Sequence, residues 1–326
     1  MIIVTGGAGF IGSCLHAALR RRGLRTVIVD RLREGVKWRN LLSHAPDRIV
    51  SPEELPEFLE DAPEIQAVFH MGAISSTTAR DGDLVWHSNV TLSQFLWRWC
   101  ARHHVPMIYA SSAATYGAAD KPEMFLDGVD NISHLKPLNL YGWSKQSFDV
   151  WVKRELQSGN AAPPQWAGLK FFNVYGPNEY HKGSMISVVK VKYDDLQKGF
   201  APKLFRSDVP SIPDGQQMRD FIWVGDVVDV MMWLFDHPKV SGLFNCGTGV
   251  ARSYLDLAYA VCDAAQRERA VEFVDMPEKL KGQYQSYTCA NMQRLRDAGY
   301  ENSFTSLEDG IHQYVREYLM KPEPNL

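Results

Sequence analysis

The segment Met1-Ile-Ile-Val-Thr-Gly-Gly-Ala-Gly-Phe-Ile-Gly-Ser13 constrains the fold of this chain more than any other. A short apolar run feeds into Gly6, Gly9 and Gly12. That spacing lets a backbone turn tightly, approach a pyrophosphate without a Cβ in the way, and pack the next helix close to a sheet. An amphipathic stretch follows, with Ile11, Leu15, Ala18 and Leu19 at helical spacing, so strand, glycine turn and helix come in the order a dinucleotide site needs. The helix N-terminus, with its unpaired N–H groups, then points at the phosphates. Gly6, Gly9, Phe10, Ile11 and Gly12 are therefore expected to line a dinucleotide cofactor.

Through about residue 172, short β-rich runs alternate with helical stretches, which argues for a parallel sheet wound on both faces by helices. Strands are expected at Ile2–Thr5, Thr26–Asp30, Ile49–Val50, Ala67–His70, Met107–Ser111 and Gly168–Phe172. Beyond Asn173 the alternation becomes irregular. A helix over Ser184–Lys198, a strand at Lys203–Phe205, a helix after Asp226, a short sheet strand in 243–249 and two further helices are expected there. The fold class is thus α/β, a Rossmann doubly wound parallel sheet over 1–172, with a smaller C-terminal α/β substrate-binding lobe over most of 173–326. Segments near 219–249 are expected to return to the sheet.

With 326 residues, 45% apolar and 22% charged, the chain can bury a large core. A formal net charge of −3 supplies no electrostatic footprint for nucleic acid. No apolar run approaches the roughly 20 residues of a membrane span, and the first strand occupies the place of a signal peptide, so a cytoplasmic protein is expected. Five scattered cysteines without Cys-x-x-Cys spacing read as buried spectator thiols, and ten dispersed histidines form no metal constellation.

Asp30 closes the second strand, 18 residues after Gly12, where an acid usually holds the adenosine ribose and favours NAD. Arg31, Arg33, Lys37 and Arg39 crowd it and suit a 2′-phosphate, so the expected cofactor is NADP, with NAD as the alternative. Met71, Gly72, Ala73, Ile74 and Ser75 follow the fourth strand, and small residues there let the chain pass beneath the cofactor. Asn89 suits either a bond to the cofactor or the capping of a turn.

Tyr141-Gly-Trp-Ser-Lys145 carries the chemistry. Four residues apart on a helix, Tyr141 and Lys145 share a face, so the ammonium can lower the phenol's pKa and bond the nicotinamide ribose. Ser112, 29 residues earlier at a strand end, is placed to bond the reacting oxygen.

Together these segments resemble the extended short-chain dehydrogenase/reductase superfamily, and more narrowly the chain is similar to the ADP-heptose 6-epimerase family. The carriers are Ser75-Ser-Thr-Thr78, Ser111-Ser-Ala-Ala-Thr-Tyr-Gly117, the Tyr141 segment, Phe172-Asn-Val-Tyr-Gly-Pro177 and Arg219-Asp-Phe-Ile-Trp-Val-Gly-Asp226. His181-Lys-Gly-Ser-Met185 and Lys279-Leu-Lys-Gly-Gln-Tyr-Gln285 are the specific ones. The resemblance implies epimerisation at carbon 6 of ADP-heptose, for lipopolysaccharide inner-core supply, with Tyr141 serving one face of that carbon and Lys182 the other. A diphosphate contact is the other reading of Lys182. The resemblance also implies that Val174 and Lys182 touch the cofactor. Ser75, Ser112, Asn173 and Ser184 would bond the sugar, and Phe205, Arg206, Ser207, Asp208, Arg219 and Tyr284 would embrace the ADP part. Val191 stands where relatives present a histidine.

A sugar-nucleotide dehydratase would need an acid and a base where Ala113 and Ala114 stand. A UDP-hexose 4-epimerase has no evident use for His181-Lys182, and a non-catalytic binding module none for Ser112, Tyr141 and Lys145 together. A homo-oligomer is expected, although the face at Phe95, Leu96 and Trp99 suits core and interface alike.

Overall fold

A computed structural model describes residues 1–62, 64–277 and 285–326. The described residues form β1 (Ile2–Thr5), β2 (Thr26–Val29), β3 (Arg48–Val50), β4 (Ala67–His70), β5 (Met107–Ser112) and β6 (Trp166–Phe171). They continue with β7 (Asn173–Tyr175), β8 (Lys203–Phe205), β9 (Met218–Trp223), β10 (Gly242–Cys246), β11 (Ala251–Ser253) and β12 (Glu272–Val274). Seven of these make one sheet in the order β10-β6-β5-β4-β1-β2-β3, parallel throughout. Strand order reverses between β1 and β4, where Thr5 lies opposite His70. A crevice opens at such a switch point beyond the carboxyl ends of the strands, and there the glycine turn after β1 meets the loop after β4.

All four residues of β1, β2 and β4 are buried, as a strand covered on both faces requires. The first helix (Phe10–Arg21) and the helix Val224–Asp236 cover one face, with Leu15, Leu19, Val227 and Met231 in a common core. Leu96 and Trp97 from Leu92–His103, with Phe148 and Val152 from Leu140–Gln157, cover the other. Leu96 is core, while Phe95 and Trp99 are half-buried against it.

Two smaller sheets, β11-β9-β7 and β12-β8, stand apart from the seven-stranded sheet, so of the segments near 219–249 expected to return to it β10 does and β9 does not. The helix expected over Ser184–Lys198 is broken in two. Gly183–Met185 forms a 3-10 turn, and the α-helix runs only over Val188–Gln197, because Ser187 is extended and its Oγ accepts the Lys190 N–H at 3.3 Å. The helix expected after Asp226 begins at Val224 and holds Asp226 in its first turn, where a carboxylate suits the positive helix end. No helix among the described residues is long and apolar enough to cross a membrane.

Candidate active site

Glycine is required at the turn after β1 by both dihedral and space. Gly6 has φ +63°, and a Cβ there would lie 2.6 Å from the Gly72 Cα; a Cβ on Gly12 would lie 2.3 Å from the Gly6 oxygen. The Gly9 N–H donates to Gly6 O at 2.9 Å, and no side chain caps the helix that begins with Phe10 and Ile11. Backbone that admits no Cβ beside a helix N-terminus fits a dinucleotide pyrophosphate.

The acid at the end of β2 is fixed against this turn. Asp30 Oδ2 accepts the Ala8 N–H at 3.0 Å, and its Oδ1 accepts the Arg31 N–H at 2.8 Å and the Lys37 ammonium at 2.5 Å. Arg31 pairs with Glu53, holding that carboxyl below its ordinary range. Arg33 and Arg39 stay exposed, the Arg39 guanidinium lying 5.7 Å from the Trp38 ring centroid. Of the four expected basic residues, the fold brings Lys37 onto Asp30.

Met71, Gly72, Ala73 and Ile74 are half-buried and Ser75 is exposed in the loop after β4. Thr5 Oγ1 accepts the Gly72 N–H at 3.0 Å, tying this loop to β1. Beneath it, His70 is bonded to Thr5 Oγ1 (2.7 Å) and Ser93 Oγ (2.8 Å), and burial pushes its pKa down to about 3, so the imidazole is neutral. Asn89, expected either to bond the cofactor or to cap a turn, spends its side-chain amide on the loop after β4 and on the tyrosine helix. Buried in the helical stretch, it accepts the Ile74 N–H and donates to Ile74 O and Ser144 Oγ.

Asn139 starts the helix Leu140–Gln157 by accepting the Gly142 N–H on Oδ1 at 2.9 Å, which puts Tyr141 in the first turn. The helix comes so near the end of β5 that a Cβ on Gly142 would stand 2.6 Å from Ala114 O. Ser112 accepts the Ala114 N–H at 3.1 Å and hydrogen-bonds to Tyr141, favouring its phenolate; burial and Asp149 oppose, and burial dominates, so the phenol's pKa is raised. Burial and Asp149 set this direction against Ser112, while the Lys145 ammonium, expected to lower the phenol's pKa, is bonded to Ala110 O. Lys145, 4% exposed, donates to Ala110 O at 2.7 Å, and burial pushes its pKa down to about 8 against the pull of Asp149.

A pocket of about 240 Å³ is lined by Asn173, Val174, Lys182, Met185 and Phe221, among others. Asn173 and Ser184 are exposed, and of the two Asn173 lines this pocket. The Lys182 ammonium lies 5.1 Å from the centroid of the Phe10 ring, and burial lowers its pKa while Glu179 pulls it up. Glu179 is fully buried and accepts Ser187 N–H (2.6 Å), Ser187 Oγ–H (2.5 Å) and Tyr314 O–H (2.9 Å), fastening the loop on both sides of Lys182. Thr77 reaches the same loop by donating to Met185 Sδ at 3.7 Å. His181, half-buried, is bonded to Asn40 Nδ2 at 3.3 Å; burial, aided by Lys37 and Lys182, pushes its pKa down to about 4.

A second pocket, of about 290 Å³, holds Phe205, Tyr254, Val191, Lys192 and Gln217 in its walls. Arg219 lays its guanidinium 5.6 Å from the Tyr254 ring centroid and donates to Met218 O at 2.8 Å. Arg206 pairs with Asp214 at 2.9 Å, and Ser207 N–H with the same carboxylate at 2.8 Å, while Asp208 is exposed. Tyr284 and the rest of 278–284 lie outside the described residues.

Asn40, Glu179, Asp149 and Lys170 also take part in the hydrogen bonding of the site, without a motif in the sequence to mark them. Asn40 Nδ2 donates to Ala8 O and to Asn178 O, clamping the glycine turn to the segment before His181. Asp149 alone carried a readable signal, since it follows Tyr141 and Lys145 at the same helical spacing.

A glycine cradle, an acid beside it and a Ser–Tyr–Lys group across the crevice define an enzyme that works with a bound nicotinamide dinucleotide. The chain belongs to the NAD dependent epimerase/dehydratase family, whose model matches residues 2–247. It is 47% identical to an ADP-L-glycero-D-manno-heptose-6-epimerase of Nitratidesulfovibrio vulgaris strain Hildenborough and 42% identical to one of Fusobacterium nucleatum, each over 100% of both chains. Its fold is similar to the crystal structure of the Helicobacter pylori ADP-L-glycero-D-manno-heptose-6-epimerase, with TM-score 0.79 and 26% identity over 97% of this chain and 95% of that one. A Thermus thermophilus UDP-glucose 4-epimerase in complex with NAD superposes with TM-score 0.75 at 26% identity, over 96% and 97%.

Proposed function

We propose that the protein interconverts ADP-D-glycero-D-manno-heptose and ADP-L-glycero-D-manno-heptose by oxidising carbon 6 to a ketone and reducing it again on its other face. A bound nicotinamide supplies the hydride acceptor and then the donor. The protein's part is to move a proton at the carbon-6 oxygen twice per turnover, once from each side of the carbon. Ser112 orients that oxygen, Tyr141 exchanges its proton on one face with Lys145 favouring the phenolate, and Lys182 serves the other face. Phe205, Arg219 and their neighbours take the ADP end while the sugar turns between half-reactions.

The observation that carries this reading is Lys182 in the wall of the pocket beside Asn173, on an element separate from Tyr141. Burial makes its ammonium a readier proton donor than an exposed lysine. The test is incubation of the purified protein with each ADP-heptose epimer, followed by proton NMR. Formation of the same equilibrium mixture from both is expected. No conversion, with UDP-galactose epimerised instead, overturns the reading.

The cofactor in this reading is NADP. Lys37 offsets the Asp30 charge that would repel a 2′-phosphate, and Arg31 is the adjoining residue. Lys37 is thus the residue expected to decide between the two dinucleotides.

A further inference from the structure

Asp149 lies one helical turn past Lys145 and two past Tyr141. Its Oδ2 accepts Ser111 Oγ–H at 2.6 Å and the Lys170 ammonium at 3.1 Å, and its Oδ1 accepts Tyr109 O–H at 3.2 Å. Both charged side chains are buried, with 0% of Lys170 and 1% of Asp149 exposed. Lys170 also donates to Thr115 Oγ1 at 2.7 Å, and the Thr115 hydroxyl donates to Ser112 O at 2.8 Å. The network thus reaches Ser112 from the strand side and Lys145 from the helix side. A buried ion pair is a poor source of stability, since apolar side chains of the same volume serve as well or better.

The groups facing this carboxylate come from every neighbouring element. They are Tyr109 from β5, Lys170 from β6, and Tyr141 and Lys145 from its own helix. Tyr116, with Lys170 5.1 Å from its ring centroid, and Asp127 act on the lysine end, and the neutral His70 lies near Lys145. Of these, Asp149 is the carboxylate that opposes the loss of the Lys145 proton on burial.

We propose that Asp149 and Lys170 are positioning residues for the reaction: Asp149, paired with Lys170, supports Lys145 one helical turn away and ties the Ser111–Ser112 end of β5 to the helix that carries Tyr141. The proposal rests on Tyr141 and Lys145 being the working pair. It explains why a charge pair occupies a site that could be apolar.

The test uses the holoprotein labelled with carbon-13 lysine, reading the Lys145 Cε titration assigned with Lys145→Arg, together with the pH profile of kcat. Asp149→Asn, and Asp149→Asn with Lys170→Met, which removes both partners of the buried pair, should both lower the Lys145 midpoint by about one pH unit or more. The alkaline fall in kcat should move with it, KM for the nucleotide sugar should stay unchanged, and Asp149→Glu should restore part of the shift. A Lys145 midpoint in the double variant equal to that of the wild type overturns the proposal. Should the charge variants fail to fold, Ser111→Ala tests the tie alone: a fall in kcat of about 10-fold at constant KM is expected, and an unchanged kcat overturns it. Undiminished turnover in Tyr141→Phe would instead overturn the underlying reading, leaving the lysine titration to stand by itself.

Discussion

Asn89 grips Ile74 by both its backbone groups, accepting the N–H at 2.8 Å and donating to the carbonyl at 3.0 Å, while Nδ2 also donates to Ser144 Oγ at 2.9 Å. Because Ser144 donates in turn to Tyr141 O at 2.7 Å, one buried amide sets the loop under the cofactor and the start of the tyrosine helix together. Asn89→Ala leaves these groups unpaired, and a loss of about 2 kcal/mol is expected in urea denaturation. Cofactor affinity, read by fluorescence titration, should fall as well, whereas a remote core truncation of equal cost should leave it alone.

The cofactor assignment is read from denatured holoprotein by mass spectrometry, which should find NADP. Lys37→Ala with Arg31→Ala should then weaken NADP binding by at least about 10-fold while changing NAD binding little. Release of mainly NAD from the wild type would contradict the assignment.

Tyr141→Phe keeps the ring and loses the proton-exchanging hydroxyl, so turnover should drop about 100-fold or more with an unchanged circular dichroism spectrum. Lys145→Met should injure cofactor binding and turnover together.

Lys182→Met separates two faces from one. It should nearly abolish epimerisation of ADP-heptose at unchanged ADP-sugar affinity, yet leave the disproportionation of an analogue bearing an aldehyde at carbon 6, which needs one face and Tyr141. Near wild-type epimerisation, or a defect confined to substrate binding, would make Lys182 a diphosphate contact.

His70 ties stability to pH. Its folded pKa of about 3 lies below the ordinary 6.5, so between these values the unfolded chain binds a proton that the native state refuses. Stability is therefore lost as pH falls from 6.5 toward 3, by at most about 4 to 5 kcal/mol from this residue. In urea titrations between pH 7 and 4, His70→Gln should lose less stability than the wild type, even if it starts lower. Equal losses would mean that His70 protonates in the folded protein.

What the sequence determined by itself is whatever depends on neighbours along the chain. The glycine turn, the apolar strands and the Tyr141–Lys145 spacing belong to it, because each is set by local dihedrals or by the helical repeat. The short strands β7, β9, β11 and β12 were not legible, since three to six residues carry little periodicity of their own and owe their extension to partners found only on folding. The sheet order decided the rest. Placing β6 beside β5 sets Lys170 opposite Ser111 and hence against Asp149, and the parallel wind brings Lys182 over Phe10, 172 positions away in the chain. Which buried polar group meets which is fixed by desolvation: once the crossovers bury these side chains, each must find a partner, and the sheet alone settles which partners are within reach.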